Sequence, residues 1–255
     1  MTILPPPYAL AIAGYDPCGG AGLLADAKTF EAFGVLGLTA MTANTIQSGS
    51  AYESTIWVDE DTLLRQIELL YESYLPAAIK VGMMRDHATM SRVLDMVQAH
   101  YPGRAVPVVV DPVLRATAAQ RGLHGRMSGS LRDWLPRITL LTPNVPEYEQ
   151  LFGAASPADV AAEYGVSILL KGGHAPAQGQ PGVVDRLFTG GQEHQFEVPR
   201  VPFDKHGTGC VLSSAIAAQL AQGVSLIDAC RQAQCYVARF LASAPGRLGL
   251  HYVSR

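Results

Sequence analysis

Short apolar runs alternate with amphipathic ones along the whole chain. The runs at 9–13 and 106–110 have the length and composition of buried strands, and Leu63, Ile67 and Leu70 recur between them at helical spacing. This rhythm is typical of a mainly parallel sheet that is covered by helices on both faces. We therefore expect an α/β fold.

The same pattern places the other elements. Strands are expected at 36–43, 78–83, 138–141 and 167–170, and a hairpin at 183–188 with 194–198. Helices are expected at 23–33, 59–74, around 90–97, from 157, from 211 and at 225–242. The stretch from 48 to 54 is short, which leaves room for no more than a minimal lid.

Composition narrows the class of protein. The 255 residues fit one α/β domain spanning 1–255, and 48% hydrophobic with 16% charged residues is globular. The net charge of −3 gives no reason to expect nucleic acid or an anionic membrane as partner. No run reaches the ~18 apolar residues of a membrane span. The four cysteines form no C-x-x-C pair, so we expect no zinc site and a reduced, cytoplasmic protein. The first seven residues have no basic region followed by a long apolar stretch, so we expect no secretory signal.

A glycine-rich turn stands near the end of the chain, at 204–210, and leads into an alanine-rich helix. The first turn of a helix offers unpaired amides and partial positive charge, and glycine lets an anion approach them closely. Gly207, Gly209 and the amide of Cys210 are therefore candidates for an anion hole. The same setting is expected to lower the pKa of the Cys210 thiol. An ordinary glycine turn before a core helix explains the pattern about equally well.

The letters HGTGC in this turn resemble the signature of the hydroxymethylpyrimidine and phosphomethylpyrimidine kinases. These enzymes form the thiamine-pathway branch of the ribokinase-like superfamily. The resemblance implies a ribokinase-like fold and assigns Cys210 the place of the catalytic base, where most sugar kinases of the superfamily have Asp. It also implies that Thr208 contacts the nucleotide.

A second glycine-rich turn, AGYDPCGGAG at 13–22, resembles the family's opening A-G-S-D-P-S-G-G-A-G. It departs from that pattern at Tyr15 and Cys18, where serines are usual. The resemblance places Gly14 and Asp26 against the pyrimidine. A carboxylate can accept a hydrogen bond from the amino group of the pyrimidine. Without it, Asp26 is more often a solvated or capping group.

Two further residues are assigned to the pyrimidine by the same resemblance. Gln47 can both donate to and accept from a pyrimidine edge, although a loop amide that bonds the backbone is the commoner case. Met83 ends K-V-G-M, which is similar to the family's K-I-G-M, whose Met lines the pocket; otherwise it is core filling.

Asp111 ends a buried strand and therefore needs a partner, which a metal ion, a water network or an arginine would supply. It is a candidate metal ligand. Asn144 and Glu147 match the superfamily's N-x-x-E, which implies a role beside Mg²⁺ and phosphate; the same spacing also fits a helix capping box. Lys171, in K-G-G-H, is similar to the family's V-K-G-G-H and is assigned to the nucleotide, whereas an exposed loop lysine is the plain alternative.

One segment departs from the family. After Asp111-Pro-Val the family has a Lys-Ser-Gly-Asp stretch, which is absent here; Arg115, Arg121 and His124 are candidates to replace its cation. The expected activity is ATP- and Mg²⁺-dependent phosphorylation of 4-amino-5-hydroxymethyl-2-methylpyrimidine, its monophosphate, or both, by a homodimer. A pyridoxal-type kinase and a non-catalytic pyrimidine sensor stay open as alternatives.

Overall fold

The computed structural model describes residues 5–113, 130–173 and 182–251. Within them the strands are β1 Tyr8–Tyr15, β2 Leu36–Gln47, β3 Tyr52–Trp57, β4 Ala78–Val81, β5 Val108–Val110, β6 Leu140–Leu141, β7 Ser167–Leu170, β8 Gly182–Thr189 and β9 Gln192–Pro199. The helices are α1 Gly22–Ala32, α2 Glu60–Ser73, α3 His87–Ala99, α4 Val145–Phe152, α5 Pro157–Tyr164, α6 Thr208–Ala221 and α7 Leu226–Ala242. Two short 3-10 turns lie at Leu131–Asp133 and Leu135–Arg137.

The strands of this described part form one sheet in the order β3-β2-β1-β4-β5-β6-β7-β8-β9. The pairs from β2 through β7 are parallel, and β3, β8 and β9 are antiparallel at the two edges. The expected mainly parallel sheet and the hairpin at 183–198 are confirmed. Because the carboxyl ends of the parallel strands share one edge, the polar residues that follow them are brought together.

Helices pack on both faces of the sheet and make two cores. Along β1, Ala9 and Ala11 belong to the core under α1, α6 and α7, whereas Leu10 and Ile12 belong to the core on the opposite face. Neither Leu10 nor Ile12 has exposed surface, so each stabilises the fold by about 1.5–3 kcal/mol. Burial on both faces explains why β1 is a continuous apolar run.

One expectation at the β2 edge was wrong, and one strand was missed. The strand β2 does not end at residue 43 but continues to Gln47, and Tyr52–Trp57 forms a further strand, β3, that pairs with it. Pairing between the two segments supplies the hydrogen bonds that extend the strand beyond its apolar part.

Arg115, Arg121 and His124, the candidates to replace the family's cation, lie outside the described residues. In the part of the chain that the structure describes, every helix is too short or too polar to cross a bilayer.

Candidate active site

The glycine-rich turn at the start of α6 lines a cavity of ≈ 660 Å³. Gly207 is the N-cap of this helix and has a φ of +78°. A Cβ on Gly207 would lie 1.9 Å from the carbonyl oxygen of Gly20, so the turn requires glycine both for its backbone conformation and for space. The amides of the first helical turn, which have no intrahelical acceptors, therefore border the cavity.

The cavity is lined by nearly all of the residues assigned from the sequence. Those lining it are Gly14, Gln47, Met83, Asp111, Asn144, Glu147, Lys171, Gly207, Thr208, Gly209 and Cys210. These residues come from seven separate stretches of the chain, and the ends of the parallel strands and the turn before α6 bring them to one place. The exception is Asp26, which lies behind the cavity wall.

One end of the cavity combines an apolar floor with an available acceptor. A Cβ on Gly14 would lie 2.9 Å from Met83 Sδ, so these two residues touch. Thr42 Oγ1 donates to the carbonyl oxygen of Met83 at 2.7 Å, which fixes the backbone there. The side-chain oxygen of Gln47 is buried and, within the described residues, accepts no hydrogen bond. Gln47 also lines the cavity, so a turn of its amide would present this unpaired oxygen to the amino group of a ligand.

Asp26 is paired inside the protein. Its carboxylate accepts from Lys80 Nζ at 2.8 and 2.9 Å and from Ser214 Oγ at 2.7 Å, and neither Asp26 nor Lys80 is exposed. Burial disfavours the charge of Lys80, but the carboxylate of Asp26, together with Cys210 and Asp111, outweighs burial and raises the pKa of Lys80. Lys80 itself lines the cavity. The contact of Asp26 with a pyrimidine stays a prediction, and in this structure its effect on the cavity passes through Lys80.

The state of Cys210 differs from the expectation. Cys210 keeps some exposed surface toward the cavity, but burial raises the pKa of its thiol to about 12. Lys80 lowers this pKa, while the carboxylates of Asp26 and Asp111 raise it. The expected lowering of the thiol pKa was therefore wrong: desolvation disfavours the thiolate more than the cation and the helix terminus favour it. In the free protein the thiol is protonated at neutral pH.

A lysine and two carboxylates form the charged wall of the cavity. Lys171 Nζ lies 2.9 Å from Asp111 Oδ1 and 3.8 Å from Glu147 Oε2. Burial raises the pKa of Glu147, although Lys171 opposes this effect. A Cβ on Gly209 would lie 3.2 Å from Lys171 Nζ, so the turn before α6 meets this charged wall.

Asn144 and Glu147 also form the capping box that their spacing allowed. The backbone amide of Glu147 donates to Asn144 Oδ1 at 2.8 Å, and the amide of Asn144 donates to Glu147 Oε2 at 2.9 Å. The structural interpretation of N-x-x-E is thus confirmed. It leaves a second oxygen on Glu147, so the capping role and a metal role are compatible.

The donor set of this wall suits Mg²⁺, which prefers carboxylate oxygens and keeps several waters. Asp111 is 3% exposed, and Lys171 and Thr142 engage its Oδ1. Among the described residues, Asp111 Oδ2 and Glu147 Oε1 accept no hydrogen bond from the protein. Each carboxylate therefore retains one oxygen for a cation or for its bound water.

Sequence reasoning missed the group that fastens the two glycine-rich turns together. Asp16 Oδ2 accepts from the amide of Ala21 at 2.9 Å and from His206 Nε2 at 3.1 Å, and Cys18 donates to Asp16 through its amide and its thiol at 3.1 Å. Burial would raise the pKa of Asp16, but these hydrogen bonds outweigh it and lower the pKa to about 2. Asp16 and His206 lie 190 residues apart, and no local signal indicates their contact.

A further arm of the cavity was also missed. It runs between the β8–β9 hairpin and α7, and its lining includes Val183, Asp185, Val198, Gln234, Val237 and Leu241. Asp185 Oδ1 accepts from the amide of Gly172 at 2.8 Å, and Gln234 Nε2 donates to the carbonyl of Phe196 at 3.0 Å. These bonds hold polar groups inside a mainly apolar arm. The residues read as ordinary hairpin and helix positions in the sequence.

Solved structures of small-molecule kinases are similar to this fold. A pyridoxal kinase from Staphylococcus aureus, in complex with AMP-PCP and pyridoxal, superimposes with a TM-score of 0.81 at 26% identity and covers 96% of this chain and 93% of its own. Phosphomethylpyrimidine kinase from Clostridium difficile superimposes with a TM-score of 0.75 at 27% identity and covers 91% and 98%. The fold and the cavity thus define a kinase of the ribokinase-like class.

Sequence comparison names the family within that class. Residues 16–252 match the phosphomethylpyrimidine kinase family. The hydroxymethylpyrimidine/phosphomethylpyrimidine kinase of Escherichia coli is 33% identical over 248 residues, which is 92% of this chain and 91% of that protein. Its counterpart in Bacillus subtilis is 34% identical over 240 residues, covering 90% and 87%. The chain belongs to the phosphomethylpyrimidine kinase family.

Proposed function

We propose that this protein transfers the γ-phosphoryl group of ATP to 4-amino-5-hydroxymethyl-2-methylpyrimidine, to its monophosphate, or to both, in thiamine biosynthesis. One observation carries the proposal. A single cavity joins an unpaired amide acceptor at Gln47, the first turn of α6 with Cys210, and the charged wall of Lys171, Asp111 and Glu147. Membership of the family and its relatives' printed activities support the same reaction.

The pyrimidine is assigned to the end of the cavity at Gly14, Gln47 and Met83. Gln47 Oε1 accepts from the exocyclic amino group, and the missing side chain of Gly14 leaves room for the ring beside Met83. Asp26 contributes by holding Lys80 in the wall of the cavity. An apolar slot with one convergent acceptor is a usual way to fix a small ring in one orientation.

The phosphates are assigned to the start of α6 and to Lys171. Amides at a helix N-terminus bind anionic oxygens, and Gly207 and Gly209 allow close approach to them. Thr208 and Asn144 border the same space and are assigned to the nucleotide. In the transfer, the bond between the γ-phosphorus and the bridging oxygen of ATP breaks. A bond forms to the oxygen of the acceptor, so positioning and charge stabilisation supply most of the catalysis.

Cys210 is assigned to the proton of the substrate hydroxyl. Only the thiolate can accept that proton, and the thiol of the free protein is protonated at neutral pH. Deprotonation of Cys210 therefore has to precede proton transfer. Where the acceptor is already a phosphate, its oxygen is ionised and the demand for a base is smaller.

Asp111 and Glu147 would hold Mg²⁺, directly or through its waters, and the bound ion would neutralise charge on the nucleotide phosphates. The residues themselves prepare this place. Lys171 keeps Asp111 oriented, and the capping box keeps Glu147 oriented.

We further propose one kinase domain, a homodimer and a reducing, cytoplasmic setting. The four cysteines, all within described residues, are free thiols. The edge strand β3 leaves Ile56 58% exposed beside Ile46, which is 42% exposed, and an apolar edge of this kind suits a second copy. Light scattering of the purified chain tests the dimer, since a monomer at assay concentration would contradict it.

Pyridoxal phosphorylation is the second candidate, because pyridoxal kinases superimpose with TM-scores of up to 0.81. ADP release with Mg-ATP and, in separate reactions, the hydroxymethylpyrimidine, its monophosphate and pyridoxal distinguishes the two. Turnover of either pyrimidine supports the proposal and shows which step runs. Turnover of pyridoxal alone would replace it with the second candidate. Pyrimidine binding without any turnover would indicate a sensor.

A further inference from the structure

The turn before α6 is hydrogen-bonded to the segment that follows α7. We name residues 244–247 the C-terminal clasp. Lys205 Nζ donates to the carbonyl oxygens of Ala244 and, at 2.7 Å, of Gly246. The backbone amide of His206 donates to the carbonyl oxygen of Arg247 at 2.8 Å. Three clasp carbonyls thus hold two consecutive residues that directly precede Gly207.

The hydrogen bonds between Lys205 and the clasp involve a charged group that is buried. Lys205 is 2% exposed, and within the described residues no carboxylate lies within ion-pair distance of its ammonium group. A buried ammonium is unfavourable unless hydrogen-bond acceptors surround it. The clasp carbonyls supply acceptors, so the position of Lys205 depends on the clasp keeping its shape.

The same residues lead directly to the anion-binding amides. Thr208 Oγ1 donates to the carbonyl oxygen of Lys205 at 2.9 Å, and the ring of His206 contacts Asp16 at 3.1 Å. The turn is therefore fastened on one side by Asp16 and on the other by the clasp. A displacement of the clasp would move the start of α6 relative to the charged wall.

The residues that follow the clasp are hydrogen-bonded to the rest of the protein. The amide of Leu250 donates to Ser243 Oγ at 2.8 Å, which closes the loop that contains the clasp. His251 Nδ1 lies 3.1 Å from Tyr236 Oη and 3.3 Å from Thr29 Oγ1, so the tail also contacts α7 and α1. These contacts give the clasp a fixed base.

We propose that the C-terminal clasp, acting through Lys205 and His206, positions the first-turn amides of α6 for phosphoryl transfer, which makes Lys205 a positioning residue. The proposal rests on the proposed function for its kinetic consequence. Its structural consequence, a turn that loosens when the clasp is disturbed, can be measured whatever the substrate is.

Two glycines offer a matched test. Gly246 in the clasp has a φ of +85° and Gly223, beyond the opposite end of α6, has a φ of +81°; a Cβ on either would meet no atom within 4 Å. Gly246→Ala and Gly223→Ala therefore introduce the same backbone strain without a steric clash. We expect Gly246→Ala to lower kcat at least about fivefold with little change in the KM for ATP, because a small misplacement of catalytic groups lowers the rate steeply. We expect Gly223→Ala to stay within about twofold of the parent.

A lysine pair repeats the test at the other partner. Lys205→Met removes the ammonium group that binds the clasp, and Lys205→Arg keeps a charged donor. Lys28→Met is the matched control, since Lys28 Nζ also donates to a loop carbonyl, that of Gly19 at 3.0 Å. The expected loss of kcat is at least about tenfold for Lys205→Met, with partial rescue in Lys205→Arg and less than about twofold change in Lys28→Met.

Amide hydrogen exchange over residues 205–211 supplies the readout that does not depend on turnover. Faster exchange there in Gly246→Ala and Lys205→Met, but not in Gly223→Ala or Lys28→Met, supports the clasp. Equal exchange and equal kcat in each matched pair would overturn it. A parent protein that turns over no pyrimidine would refute the proposed function instead, and the exchange comparison would still decide the clasp.

Discussion

The ammonium group of Lys80 lies 2.8 Å from Asp26 Oδ2, and neither side chain has any exposed surface. Removing one partner of such a pair leaves a buried charge without compensation. We expect Lys80→Met to lower the free energy of unfolding by about 3–5 kcal/mol, measured by urea denaturation.

A double variant separates charge from packing at this pair. Replacing Lys80 by Met and Asp26 by Leu together removes both charges, so the double variant is expected to be more stable than Lys80→Met alone. If the double variant lost as much stability as Lys80→Met and Asp26→Leu lose together, the two side chains would not be coupled energetically.

The pairing of Lys80 with Asp26 marks the limit of prediction from the sequence. The alternating apolar runs predicted the layered sheet. The glycine turns, the strand ends and the N-x-x-E spacing, together with the family resemblance, predicted eleven residues that line one cavity. Lys80 and Asp26 are 54 residues apart, and their contact depends on the packing of α1 against β1, the strand that pairs with β4. No local pattern carries that information.

Two errors have the same physical origin. The sequence indicated a helix N-terminus at Cys210, which favours a thiolate, but burial and the carboxylates of Asp26 and Asp111 belong to the folded structure. The strand β3 likewise depends on its pairing with β2. Local propensity predicts where elements start and end, while the environment of a side chain follows from tertiary contacts.

The raised pKa of Cys210, about 12, predicts how activity depends on pH. If proton transfer from the hydroxymethylpyrimidine limits the rate, kcat rises with pH from 7 to 9, because the thiolate fraction grows about tenfold per pH unit below the pKa. A carboxyl group has a much lower ordinary pKa than a thiol, so Cys210→Asp should show a flatter profile. A parent profile as flat as that of Cys210→Asp would contradict the assignment. Cys235→Ser, at an exposed thiol, controls for general effects.

Gln47 is expected to select the pyrimidine. Gln47→Leu keeps the approximate size of the side chain but removes the unpaired acceptor, so the amino group of the substrate loses its partner. The KM for the pyrimidine should rise about tenfold or more, while the KM for ATP changes less than about twofold. Initial rates with each substrate varied in turn give both values. Equal effects on the two constants would place Gln47 outside the pyrimidine site.

Glu147→Gln separates the capping role from the metal role. Glutamine can also accept from the amide of Asn144, so the capping box and the unfolding free energy should change by less than about 1 kcal/mol. The lost charge should raise the Mg²⁺ concentration needed for half-maximal activity several-fold. Activity titrated with Mg²⁺ beside urea denaturation measures both. A stability loss without a shift in the Mg²⁺ titration would leave Glu147 with the capping role alone.

The most direct test of the account follows the phosphoryl group itself. The protein is incubated with Mg²⁺, ATP labelled with ¹⁸O in the γ-phosphoryl group, and either 4-amino-5-hydroxymethyl-2-methylpyrimidine or its monophosphate. The masses of the products are then measured by mass spectrometry. The account predicts a pyrimidine product that carries the labelled phosphoryl group. With the hydroxymethylpyrimidine as acceptor, Cys210→Ala should form it about 10²–10⁴-fold more slowly than the parent. Label that appears only in inorganic phosphate, or transfer to the hydroxymethylpyrimidine at the same rate in both proteins, would contradict the account.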